Sequence, residues 1–179
     1  MRSSGFSRAM TTIGMVLAVV VPAWAAAGRV LFDIDGTLAL ILGLVAAPVL
    51  MAVYLIIVWI PWVRKRHGRG DGLSNRAAVM FLMSLIAGIV FGFLSPDFGN
   101  PNAMSMLEYF AGSEYSGMAA AVANPFGIGT LFFAALALGF ALRDSSGKIS
   151  YVQTRATVDI DHDEDLMIPA PWLPQEDNK

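Results

Sequence analysis

The sequence predicts an all-α, polytopic membrane protein with four transmembrane helices and both termini in the cytoplasm. Three observations lead there. Of its 179 residues, 56% are hydrophobic and only 15% are charged, whereas a soluble domain usually carries roughly 25% charged residues. Long apolar stretches recur along the chain, separated by short polar ones. The charges between them segregate by sign, which sets an orientation.

The strongest stretch is Leu38–Trp62, LALILGLVAAPVLMAVYLIIVWIPW, followed by the basic run RKRHGR at Arg64–Arg69. About 25 uncharged residues at a rise of about 1.5 Å each exceed the roughly 30 Å of bilayer hydrocarbon, so this helix crosses with some tilt. Tyr54, Trp59 and Trp62 cluster towards its basic end, as interfacial anchors do. Before it, residues 1–10 form a short N-terminus with Arg2 and Arg8, and an apolar segment covers about 11–32. That first segment has two readings. A basic start, an apolar core and the Ala-x-Ala pattern at Ala23 and Ala25 fit a secretory signal peptide covering 1–27; the preferred reading is a retained first helix kinked at Pro22, which gives the four-span count.

The third span covers about 77–94. Ser74 or Asn75 can cap its start, and Ser95-Pro96-Asp97 stops it, because proline cannot continue the hydrogen-bond ladder. Residues 95–125 read as a loop with Asp97, Glu108 and Glu114 and no cation, in which Ala103–Phe110 can form a short amphipathic surface helix. The fourth span covers about 126–142, and 143–179 is a polar tail.

The N-terminus and the 61–76 connection are basic, while the other two connections are acidic on balance. The positive-inside rule then puts the N-terminus, the basic loop and the tail in the cytoplasm. Arg64, Lys65, Arg66 and Arg69 beside a helix end suit anionic lipid headgroups better than nucleic acid.

Absences narrow the chemistry. With no cysteine, the chain has no disulfide, iron–sulfur ligation or thiolate zinc site. The spans after the first contain no Asp, Glu, Lys, Arg or His in their interiors, and such residues mark proton relays and coupled transport. His67 and His162 both fall outside the spans, so no histidine-ligated haem is expected in the bundle. No catalytic residue, cofactor or metal is therefore expected.

Small residues offer clearer signs. Ser84, Gly88 and Gly92 form a ladder at four-residue spacing in the third span; Gly43 and Ala47 repeat it in the second, and Ala135 and Gly139 in the fourth. Such residues let backbones approach closely inside lipid, either within the bundle or against another subunit. In the tail, Asp159, Asp161, Asp163, Glu164 and Asp165 make an acidic run around His162, and LMIPAPWLP with Trp172 follows. The run lacks the glycine and terminal glutamate of a calcium loop. It reads as a partner-docking tail, its apolar, proline-rich end lowering the entropy lost on ordering.

Leu31–Leu38, LFDIDGTL, resembles the signature of haloacid-dehalogenase-like phosphatases. In that family the residue matching Asp33 is the phosphoryl-accepting nucleophile and the one matching Asp35 a general acid–base, followed by Gly36 and Thr37. The chemistry needs a parallel α/β sheet, a lysine and further carboxylates for magnesium, and here eight residues are squeezed between two spans. The competing reading is a turn in which Asp35 or Thr37 caps the second helix.

The whole layout, four spans rich in Ala, Gly and Val with a cytoplasmic acidic tail, resembles the small accessory subunits of actinobacterial respiratory supercomplexes. Those assemblies join a menaquinol–cytochrome c oxidoreductase to a cytochrome oxidase. The resemblance lies in layout and transfers no site residue. It implies a noncatalytic role in assembly or stabilisation, other membrane subunits of a hetero-oligomeric complex as partners, and a bacterial plasma membrane. The alternative is a small homo-oligomeric channel or transporter, which requires a polar pore-lining stripe.

Overall fold

The computed structural model describes residues 5–32, 34, 36–66, 72–99 and 104–164, without the side chains of Arg29, Lys65, Arg66 and 146–164. Most of the described residues are helical, and none lies in a strand. The chain divides into two compact units, Met1–Asp144 and Ser145–Lys179.

Four helical stretches are long and apolar enough to cross a membrane: Gly5–Ala27, Thr37–Arg64, Asn75–Leu94 and Ser113–Ser145. The first is α1, Gly5–Ala27, which buries Ser7, Met10, Gly14, Ala18, Val21, Pro22 and Ala26. Apart from the adjacent Val21 and Pro22, the spacing of three or four residues places these on one face. That face packs on both α3 (Ala47–Arg66) and α4 (Asn75–Leu94), so the segment with two readings in the sequence supplies a wall of the core. At Gly14 an added Cβ would lie 2.8 Å from Phe81 Cε1 and 3.3 Å from Val58 Cγ2, which shows how closely α1 approaches its neighbours.

The second span is composite. A short helix α2, Thr37–Ile41, runs into a wide π turn at Leu42–Ala46 and then into α3. Pro48 has no amide hydrogen, and its ring crowds the carbonyl four residues earlier. The wider turn just upstream is a usual way for a helix to absorb such a defect.

α4 starts where Ser74 accepts a hydrogen bond from the Ala77 amide at 3.2 Å. It buries Ala77, Ala78, Phe81, Ser84, Leu85, Ala87, Gly88 and Gly92. Phe81 meets Tyr54 of α3 edge to face, with centroids 5.3 Å apart. At the basic-loop end, Ser7 Oγ donates to the Leu73 carbonyl, and Thr11 Oγ1 accepts from the Leu73 amide at 3.1 Å. These bonds tie the start of α1 to the entry of α4.

Beyond α4 comes α5, Met106–Ala111, capped by Ser105 accepting from Glu108 N at 3.0 Å. It falls in the stretch expected to form a surface helix. Met106 points inward, while Tyr109 and Phe110 are exposed. Phe110 stacks on Phe93 at 6.3 Å and meets Phe32 edge-on at 5.3 Å. The last helix, α6, runs over Ser116–Glu164. It begins well before residue 126, inside the stretch expected to be loop, and passes through Pro125. Ser116–Asn124 is rich in alanine, a strong helix former, which carries the helix up to the proline.

Candidate helix-association site

Two hydrogen-bonded constructions hold the membrane-spanning unit together. The first is a clamp at the acidic-loop end. The α2 N-cap position is Gly36, which has no side chain to offer. The free amides of the first turn go instead to Asp97, a residue 59 positions away from Leu38 in the chain. Asp97 Oδ1 accepts from Leu38 N at 2.8 Å and Oδ2 from Ala39 N at 3.1 Å. Oδ1 also accepts from Phe98 N at 2.8 Å, and the Phe98 carbonyl accepts from Thr37 N at 2.9 Å. A carboxylate here faces the positive end of the helix dipole. Gly99 follows at φ +93°, a conformation that favours glycine, and an added Cβ would strike Thr37 Oγ1. A cap on this turn therefore comes from Asp97, while Asp35, one of the two residues expected to cap it, lies outside the described residues.

The second is a polar chain through the middle of the unit. Tyr54 Oη and Ser84 Oγ lie 2.7 Å apart, Ser84 Oγ donates to the Thr130 carbonyl at 2.7 Å, and Thr130 Oγ1 donates to the Phe126 carbonyl at 2.8 Å. Tyr54 and Ser84 are fully buried. The chain links α3, α4 and α6, and polar contacts of this kind supplement dispersion between helices in lipid. Trp24 of α1 adds a bond from Nε1 to the Ile89 carbonyl at 3.3 Å.

The small-residue ladders divide between the inside and the outside. Ser84, Gly88 and Gly92 all face inward. An added Cβ on Gly88 would lie 3.1 Å from Val21 Cγ1, and on Gly92 2.9 Å from Ala25 Cα. Ala47 is half-exposed. Gly43, Ala135 and Gly139 are exposed, and space is open around a Cβ at Gly43 or Gly139. The inward face of α6 is a different stripe, which after the buried Ala119 runs through Ala123, Thr130, Ala134, Ala137 and Ala141. From Ala123 its spacings of seven, four, three and four follow a heptad, and Thr130/Ala134 and Ala137/Ala141 share the four-residue spacing of Ala135 and Gly139, so that spacing alone does not pick the inward face.

Among the basic residues, Arg64 is half-exposed near the end of α3; Lys65 and Arg66 are helical, their side chains outside the described residues, as is Arg69. Asp159, Asp161, Asp163 and Glu164 fall on the helical backbone of the second unit. Their side chains, and Asp33, Asp35, Asp165 and Trp172, lie outside the described residues. Among the described residues no three His, Asp or Glu side chains converge.

The outward surface of the four spans is apolar and broad. It includes Leu40, Leu44, Val45 and Val49 on the second span and Ile128, Leu131 and Phe132 on the fourth. Such a surface suits lipid or other membrane helices. No family model, curated protein or solved structure matches the chain.

Proposed function

We propose that this chain is a noncatalytic accessory subunit of a larger membrane protein complex, acting through helix packing and docking of its acidic tail. The observation that carries the reading is the division of the small residues. One set packs the unit's own core, while Gly43, Ala135 and Gly139 leave shallow places on otherwise apolar outward faces. In lipid, shallow places of this kind let a neighbouring helix approach closely. The polar side chains of the bundle centre support the same reading, because Tyr54, Ser84 and Thr130 spend their hydrogen bonds on one another and on carbonyls. They hold helices together, and a transport path would turn such groups towards water.

The layout resemblance extends the proposal to a respiratory assembly in a bacterial plasma membrane, with both termini cytoplasmic and anionic lipids at Arg64–Arg69. The test is affinity purification of the tagged chain from native membranes in mild detergent, followed by mass spectrometry and a haem absorption spectrum of the same sample. Stoichiometric haem-containing subunits are the expected result. Other membrane subunits without haem would retain the accessory role and remove the respiratory placement. A homo-oligomer alone would replace both with the channel reading.

A further inference from the structure

An apolar cavity of about 300 Å³ opens on the side of the membrane-spanning unit, near the end that carries Asp97. Its walls come from four elements: Pro22 and Ala25 of α1, Ala46 and Leu50 of the second span, Phe91 of α4, and Ile128 of α6. The volume is about twice that of an apolar cavity of about 150 Å³ that takes up benzene, and it reaches the lower range of small-molecule sites. The backbone explains why space remains. The π turn at Leu42–Ala46 buries none of its side chains.

The rim identifies the occupant. Ala46, Ile128 and Leu131 of the lining are exposed, so in a bilayer the cavity opens to hydrocarbon. An empty apolar space there would forfeit dispersion contacts along every wall. Two polar side chains, Thr130 and Asn124, break the lining, and Thr130 Oγ1 is already bonded to the Phe126 carbonyl. Asn124 is an exposed residue on the first half of α6, towards the Asp97 end, and among the described residues nothing hydrogen-bonds its amide. An amide with unmet donors and acceptors is costly beside hydrocarbon, and a polar group of a bound amphiphile would satisfy it.

We infer that this cavity is a site for one acyl chain of a bilayer phospholipid, with the ester or headgroup region hydrogen-bonded to Asn124. The full chain would be reconstituted in phosphatidylethanolamine–phosphatidylglycerol vesicles containing a phosphatidylethanolamine with a diazirine on one acyl chain. Labelled peptides would be mapped after irradiation. The expected result is at least fivefold more label on the segments around Ala25, Leu50 and Ile128 than on the outward surface at Phe132. Ala46→Phe, which puts a ring into the mouth from an exposed position, should bring that excess to the surface level, and Asn124→Leu should reduce it several-fold. Ile128→Trp repeats the filling test from the opposite wall if Ala46→Phe does not fold. Even labelling across the outward surface, or an excess untouched by filling, overturns the inference. Displacement of the label by an isoprenoid alcohol but not by unlabelled phosphatidylethanolamine would overturn the acyl-chain assignment.

Discussion

Replacing Asp97 with alanine should loosen the first turn of α2 while the core beneath it stays folded. Asp97 is 6% exposed, and its two carboxylate oxygens take the amides of Leu38 and Ala39 at 2.8 and 3.1 Å. Hydrogen bonds to charged groups contribute about 1.5–3 kcal/mol each when a partner is left unsatisfied, and loss of an N-cap costs about 0.5–2 kcal/mol. The freed amides of a helix end near the interface regain some water. The net loss should therefore be about 2–3 kcal/mol for opening this turn, or about 30- to 150-fold faster exchange. Hydrogen–deuterium exchange in bicelles, read on the peptide spanning Leu38–Leu42, would measure it, with the peptide around Phe81–Leu85 as the internal standard. Asp97→Asn keeps one carbonyl oxygen and should fall between. Unchanged exchange at Leu38–Leu42 in Asp97→Ala would refute the clamp. An equal rise at Phe81–Leu85 would show that Asp97 holds the whole unit rather than one turn.

Four other outcomes follow from the packing. Ser84→Ala should cost about 1–2 kcal/mol, since it leaves the Tyr54 hydroxyl without its partner; Tyr54→Phe combined with it should cost less than the sum of the two singles in reversible unfolding from bicelles. Gly92→Val should destabilise by about 1–3 kcal/mol, because its new carbon meets the Ala25 backbone. Gly139→Leu, on an open face, should leave stability within about 0.5 kcal/mol and lower only the recovery of a partner subunit. N-terminal sequencing of the chain from native membranes should show α1 retained, because Met10, Ala18 and Val21 form part of the core with Tyr54 and Phe81. A mature chain starting near Gly28 would contradict this.

The spans were legible because hydropathy needs only local composition. Ser74 was legible as a cap because its donor, Ala77 N, is three residues away. Asp97 was not, since its partners are 58 and 59 residues distant and no local pattern announces them. The π turn was hidden because Leu42–Ala46 is compositionally ordinary; only Pro48 hinted at a disturbed ladder. On α6, apolar residues occur all round the helix, so the inward stripe through Thr130 and Ala134 has no polar face to contrast with it. The four-residue spacing of Ala135 and Gly139 fits a packing motif equally well, yet these two residues lie outside. The early start at Ser116 was obscured by Pro125, which reads as a boundary in isolation.

The central claim is that the outward faces of this unit meet other polypeptides. The most direct measurement places a photo-crosslinking amino acid at Ala135 in cells and, as a control, at the buried Ala137, then identifies the adducts by mass spectrometry. The account predicts a discrete adduct with a different membrane subunit from Ala135 and none from Ala137. A self-adduct alone, or no protein adduct at all from Ala135, would contradict it.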